Sequence, residues 1–132
     1  MKYYISINSW NLLESFVTES LSPFAFYSKR NFGNNLSRYT SSVNDKINFL
    51  VLSAVDNGGD YTIEIDESIL DKKSIKPVKN LKTLFTYCKT IYYQIGQIGF
   101  RFADQSLLDS FVAESQILFE VKCVEKYLPS FF

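Results

Sequence analysis

The chain has 132 residues, 14 basic and 14 acidic side chains, no histidine, and 46% hydrophobic against 21% charged residues. This is enough for one self-supporting domain and excludes a disordered or collagen-like chain. Without histidine, Ser-His-Asp and Cys-His catalysis, a His-ligated zinc and a histidine pH switch are all excluded.

In chain order, the Tyr- and Ile-rich opening predicts a strand over 2–7, with Tyr3, Ile5 and Ile7 on one side and Tyr4 and Ser6 on the other. Asn8 or Ser9 can cap a helix over about 10–20, where Trp10, Leu13, Phe16, Val17 and Leu21 form the apolar stripe while Asn11, Glu14 and Ser15 face outward. Pro23 suits the start of a short second helix over 23–28. The polar stretch 31–45 reads as a long surface loop and a candidate lid. The apolar run 46–54 predicts a central strand covered on both faces. A turn at 56–60 leads to alternating residues 61–66, a half-exposed strand expected to pair with its predecessor as a hairpin.

A helical turn is expected at 67–71, and the basic, Pro77-containing stretch 72–79 reads as a connector. Residues 81–102 alternate as two or three short strands, with Gly96 and Gly99 as bulge or turn points. Asp104 can cap a second long helix whose stripe is Leu107, Leu108, Phe111, Val112 and Ser115. The alternation over 117–124 favours a closing strand. The expected class is therefore α+β: a twisted, mostly antiparallel sheet of five to seven strands with two main helices, in a single domain over 1–132 that can serve as a module of a larger assembly.

Cys88 and Cys123 have neither CxxC spacing nor a disulfide framework around them, so both are read as small core residues and no metal site is expected. The N-terminal stretch breaks into polar residues before a signal-peptide core can form, and no apolar run is long enough to span a membrane. A cytoplasmic protein is expected, without a membrane partner. Zero net charge removes the whole-molecule attraction to nucleic acid and makes that partner unlikely, leaving only local patches.

Several residues carry candidate chemistry. Segment 24–33 interleaves aromatics, Tyr27 among them, with Lys29 and Arg30, a mix that can stack a base or nicotinamide and pair a phosphate. Its plainer reading is a loop anchored by its aromatics. The lysines of 72–82 can form a phosphate patch or a solvated connector. Acidic residues between Asp56 and Glu67 suggest a calcium loop, but Tyr61 stands where an EF-hand needs glycine, and a hairpin turn fits better. Glu64 and Asp66 share a strand face, where paired carboxylates can raise one another's pKa. Glu120, between Phe119 and Val121, can project a carboxylate from an apolar surface or pair with Lys122 or Lys126.

The opening Tyr3-Tyr4-Ile5-Ser6, the helix through Leu12-Leu13-Glu14-Ser15-Phe16 and the strands at 49–53 and 61–66 resemble the first half of ADP-ribosyltransferase-like folds. The resemblance implies an NAD-consuming transferase that modifies protein or nucleic acid, with Tyr4 and Ser6 near the nicotinamide ribose and Glu120 as the catalytic carboxylate; under it the aromatic-cationic segment would add Tyr27 to the cofactor site and Arg30 near the pyrophosphate. The chain departs from the family in lacking histidine, an arginine on the opening strand, and Glu or Gln two places before Glu120. Against that enzymatic reading stands a non-enzymatic protein-recognition or assembly domain, needing no cofactor. It is suggested by an aromatic share of 17%, more than one small core requires, and implies a protein partner or a homo-oligomer.

Overall fold

The computed structural model describes residues 1–23, 49–118 and 127. Strand β1 (Lys2–Ile7) leads into helix α1 (Ser9–Thr18), followed by β2 (Ser20–Leu21), β3 (Leu50–Ser53) and β4 (Tyr61–Asp66). Two short 3-10 turns, Glu67–Ile69 and Lys72–Ser74, then lead to β5 (Ile75–Val78), β6 (Leu81–Tyr87), β7 (Ile91–Tyr92), β8 (Ile98–Phe102) and helix α2 (Gln105–Leu118). Six strands form one antiparallel sheet in the order β5-β6-β3-β1-β4-β8, and β2 pairs with β7 in a separate ribbon. The class is mixed α+β, as the patterning predicts.

Period-two alternation sorts the sheet's side chains. Tyr3, Ile5 and Ile7 share a face with Leu50, Leu52, Ile63, Ile65, Ile98, Phe100 and Phe102, all buried in the core. Helix α1 adds Leu12, Leu13 and Phe16 to this core, and α2 adds Phe111. Phe16 sits at its centre, with ring centroids 4.7 Å from Phe100, 5.6 Å from Tyr93, 5.9 Å from Phe111 and 5.6 Å from Tyr127.

Both helices begin where the sequence places a cap. The Asn8 side chain accepts from the Asn11 amide at 2.7 Å, and Asp104 accepts from the Leu107 amide at 3.0 Å. Helix α1 ends at Glu19, in the left-handed region at φ 52.

The faces of α1 differ from the expected stripe. Asn11 and Ser15 are buried, whereas Val17 is exposed. The helix is covered around more than half its circumference, by the sheet on one side and by the β7 region on the other, where the Tyr93 hydroxyl donates to Ser15 Oγ. Ser15 in turn donates to the Leu12 carbonyl at 2.6 Å, so this buried hydroxyl is satisfied.

Strands β3 and β4 do not form a hairpin. Strand β1 lies between them, with Tyr4 opposite Ser53 on one side and Glu64 on the other. Both neighbours run antiparallel to β1 and hence parallel to each other, so residues 54–60 must carry the chain back along β1 and across it. Seven extended residues span at most about 24 Å, more than the roughly 10 Å along and 10 Å across that this crossing needs.

Other expectations are corrected by pairing partners that the local sequence does not name. The 72–79 connector includes edge strand β5, because Ile75, Lys76 and Pro77 find Tyr87, Thr86 and Phe85 opposite them. Pro77 offers no N–H and the ladder is bulged at Pro77/Val78, features tolerated at an edge. In the 46–54 run the described strand is Leu50–Ser53, buried on both faces as expected, and residues 46–48 lie outside the described residues. Three strands occupy 81–102, and Gly96 turns the chain at φ 90, while Gly99 lies within β8. Ile117 and Leu118 continue α2 and do not begin a strand, the helix capped at Asp104 carrying through them. Cys88 is exposed at the end of β6, where the pleat turns it away from the core that Tyr87 enters. Pro23 is not helical, and the remainder of the expected short helix, the loop 31–45, Cys123 and residues 119–124 lie outside the described residues.

Candidate functional site

The second face of the sheet carries Tyr4 and Ser6, flanked by Ser53, Thr62 and Glu64, with Arg101 opposite Thr62 on β8. The crossover 54–60 runs over this face. Asn57 donates to Ser53 Oγ at 3.0 Å. Arg101 clamps Asp56 through Nε to Oδ2 at 2.8 Å and an Nη to Oδ1 at 2.9 Å, and also donates to Thr62 Oγ1 at 2.7 Å. Gly58, at φ 73, gives the turn its left-handed step, and its amide donates to Asp56 Oδ1 at 2.9 Å. Ser6 and Thr62 are buried, and Tyr4 is half-buried.

Charges on this face are matched locally. Partial burial works to raise the Asp56 carboxyl pKa, but the hydrogen bonds from Arg101 and Gly58 outweigh it and hold the pKa below the ordinary value of 3.8. Glu64 meets Lys2 Nζ at 3.1 Å and Asp66 lies 3.9 Å from the same ammonium, so this carboxylate pair shares a cation. The arrangement acts as a pin, fastening the crossover to three strands. It presents no unmatched carboxylate or guanidinium among the described residues of this face.

Of the residues the family resemblance implicates, Tyr4 and Ser6 are among the described ones, on the same face of the central strand. Tyr27, Arg30 and Glu120 lie outside the described residues. The Asp56–Glu67 region is a crossover and strand, and no group of three or more Cys, Asp or Glu side chains among the described residues is placed to hold a metal. The lysines of 72–82 are exposed on the β5–β6 hairpin and its approach.

A different surface was not singled out by sequence. Among the described aromatics, Tyr3, Phe16, Tyr87, Tyr93, Phe100, Phe102, Phe111 and Tyr127 are core, and Tyr4, Phe49, Tyr61 and Phe85 are half-buried. Tyr92 is exposed at 67%, and Ile95, three residues on, is 60% exposed. The segment is firmly held. Ile91 and Tyr93 on either side are buried, the Tyr93 amide donates to the Glu19 carbonyl at 2.8 Å, and Ile95 bridges to Ile98. The available signal was the in-out-in alternation of Ile91, Tyr92 and Tyr93, which forces one large side chain outward whenever its neighbours are core.

No protein-family model, curated protein or solved structure matches the chain.

Proposed function

We propose that this chain is a non-enzymatic recognition or assembly domain of a cytoplasmic protein, engaging a partner protein or a second copy through the Tyr92–Ile95 projection. One observation carries the reading: two large apolar side chains stand mostly in water on a backbone anchored at both ends. Tyrosine offers large contact area with few rotatable bonds, and a pre-ordered loop loses little entropy on docking. No helix among the described residues is long and apolar enough to cross a membrane.

The test is sedimentation velocity over a range of protein concentrations, together with the stoichiometry of material purified from its native source. The wild type is expected to self-associate or retain one stoichiometric partner, insensitive to moderate salt. Tyr92→Ser with Ile95→Ser should lose that association while keeping its circular dichroism and melting temperature. Identical behaviour of wild type and variant would overturn the proposal. The ADP-ribosyltransferase reading predicts instead a rise in melting temperature with millimolar NAD, and Glu120→Gln would then abolish turnover while sparing binding.

A further inference from the structure

The net charge of zero conceals a segregated distribution. Residues 71–89 hold six lysines and one aspartate, and the aspartate is taken by Lys89 in an ion pair with Asp71 Oδ2. Lys72, Lys73, Lys76, Lys79 and Lys82 are exposed and make no ion pair with another described residue. Lys76 and Lys82 project from the same face of the β5–β6 hairpin, by the alternation that turns Phe85 and Tyr87 into the core.

At the other edge of the sheet the sign is reversed. Strand β8 is followed by α2, which packs against it. Residues 103–118 contain Asp104, Asp109 and Glu114, all exposed, and no lysine or arginine. Asp60 joins them, its carbonyl accepting from the Ala103 amide at 3.0 Å. Arg101 adds no free cation there, since Asp56 holds it. The field is felt locally: the Tyr61 hydroxyl has its pKa raised by burial first, then by Asp60, Glu114 and Asp104.

Five strand spacings of about 4.8 Å separate the two edges, roughly 24 Å in all. That is about three Debye lengths at physiological ionic strength, so the two poles do not neutralise each other within one molecule. A second copy, by contrast, can bring opposite poles into contact, and a net charge of zero leaves no overall repulsion to oppose the approach.

We propose that the lysine-bearing β5–β6 edge of one copy docks on the acidic β8–α2 edge of the next. The interface joins two different surfaces, so it repeats head to tail and builds a ring or an open chain of subunits. Contact is made by side chains and not by strand addition, since Pro77 and the adjacent bulge blunt the β5 edge. This surface is separate from the Tyr92–Ile95 projection, and the two are distinguished by salt.

Sedimentation velocity and light scattering on the full chain test it. Wild-type protein is expected to form a concentration-dependent series of oligomers at about 20 mM salt, weakening at least tenfold by about 0.3 M. Lys76→Glu with Lys79→Glu and Lys82→Glu should abolish the series, as should Asp109→Lys with Glu114→Lys. An equimolar mixture of wild-type chain and either variant should give shortened oligomers. The Lys→Gln versions guard against folding defects, with circular dichroism and melting temperature as controls. Tyr92→Ser with Ile95→Ser should leave the salt-sensitive series unchanged, so failure of either proposal is visible without the other. A wild type that stays monomeric at low salt would overturn the inference. So would charge variants that associate as the wild type does, or binding of an oligonucleotide to the lysine edge without self-association.

Discussion

Replacing Phe16 with alanine is expected to be the most damaging single change on α1. The ring is fully buried and lies against four other rings among the described residues, from the sheet, the β7 region, α2 and Tyr127, so its loss opens a cavity where these parts of the fold meet. No single neighbour can move inward without leaving its own contacts, and the cavity cannot fully collapse. Large-to-small changes of this kind cost about 3–5 kcal/mol, a fifth or more of the roughly 5–15 kcal/mol that holds a domain folded. The melting temperature should fall by about 10–20 °C. Urea denaturation followed by far-UV circular dichroism measures the loss directly, with Val17→Ala one position along as the control. Val17 is 52% exposed, and its truncation should stay within about 0.5 kcal/mol. If Phe16→Ala cost less than about 1 kcal/mol, or no more than Val17→Ala, the packing of α1 on the sheet described above would be wrong.

Other outcomes follow from particular residues. Asp104→Ala removes the side-chain cap of α2 and should cost about 1 kcal/mol in urea denaturation, whereas Asp104→Ser should retain most of it. Asn80 holds the β5–β6 turn at φ 67, which asparagine tolerates and β-branched residues do not, so Asn80→Val should destabilise by about 1–2 kcal/mol and Asn80→Gly by far less. Asp56 has a folded pKa below its ordinary 3.8, so its contribution to stability is present above that value and is lost as pH falls through the lower, folded one. Acid titration of stability should therefore be flatter in Asp56→Asn than in the wild type, and equal slopes would argue that the Arg101 clamp contributes nothing. Cys88, exposed at the end of β6, should react with iodoacetamide in the folded protein, and protection in native buffer would contradict its placement.

The site was less legible than the fold. Tyr4 and Ser6 were placed on one face of the opening strand by alternation alone, and they share it. That the same chain roofs them with 54–60 was not legible, because Asp56 and Arg101 are far apart in sequence and neither carries a pattern naming the other. The Tyr92–Ile95 projection was hidden for a related reason: Tyr92 and Tyr93 look alike in sequence, and only the core on one side of the β2–β7 ribbon separates them.

By itself the sequence determined the elements whose causes are local. Hydrophobic period set β1, β4 and most of both helices, and the short polar side chains of Asn8 and Asp104 set where those helices begin. Tertiary structure decided what each element lies against: β1 between β3 and β4, an edge strand made from a basic stretch, and Asn11 and Ser15 in the interior of a helix covered on two sides. Hydrogen-bond ladders and core packing join residues distant along the chain, and their energy depends on the partner's identity and position. Periodicity within a segment reports that it has a buried side, but which neighbour buries it is settled only when the whole sheet assembles.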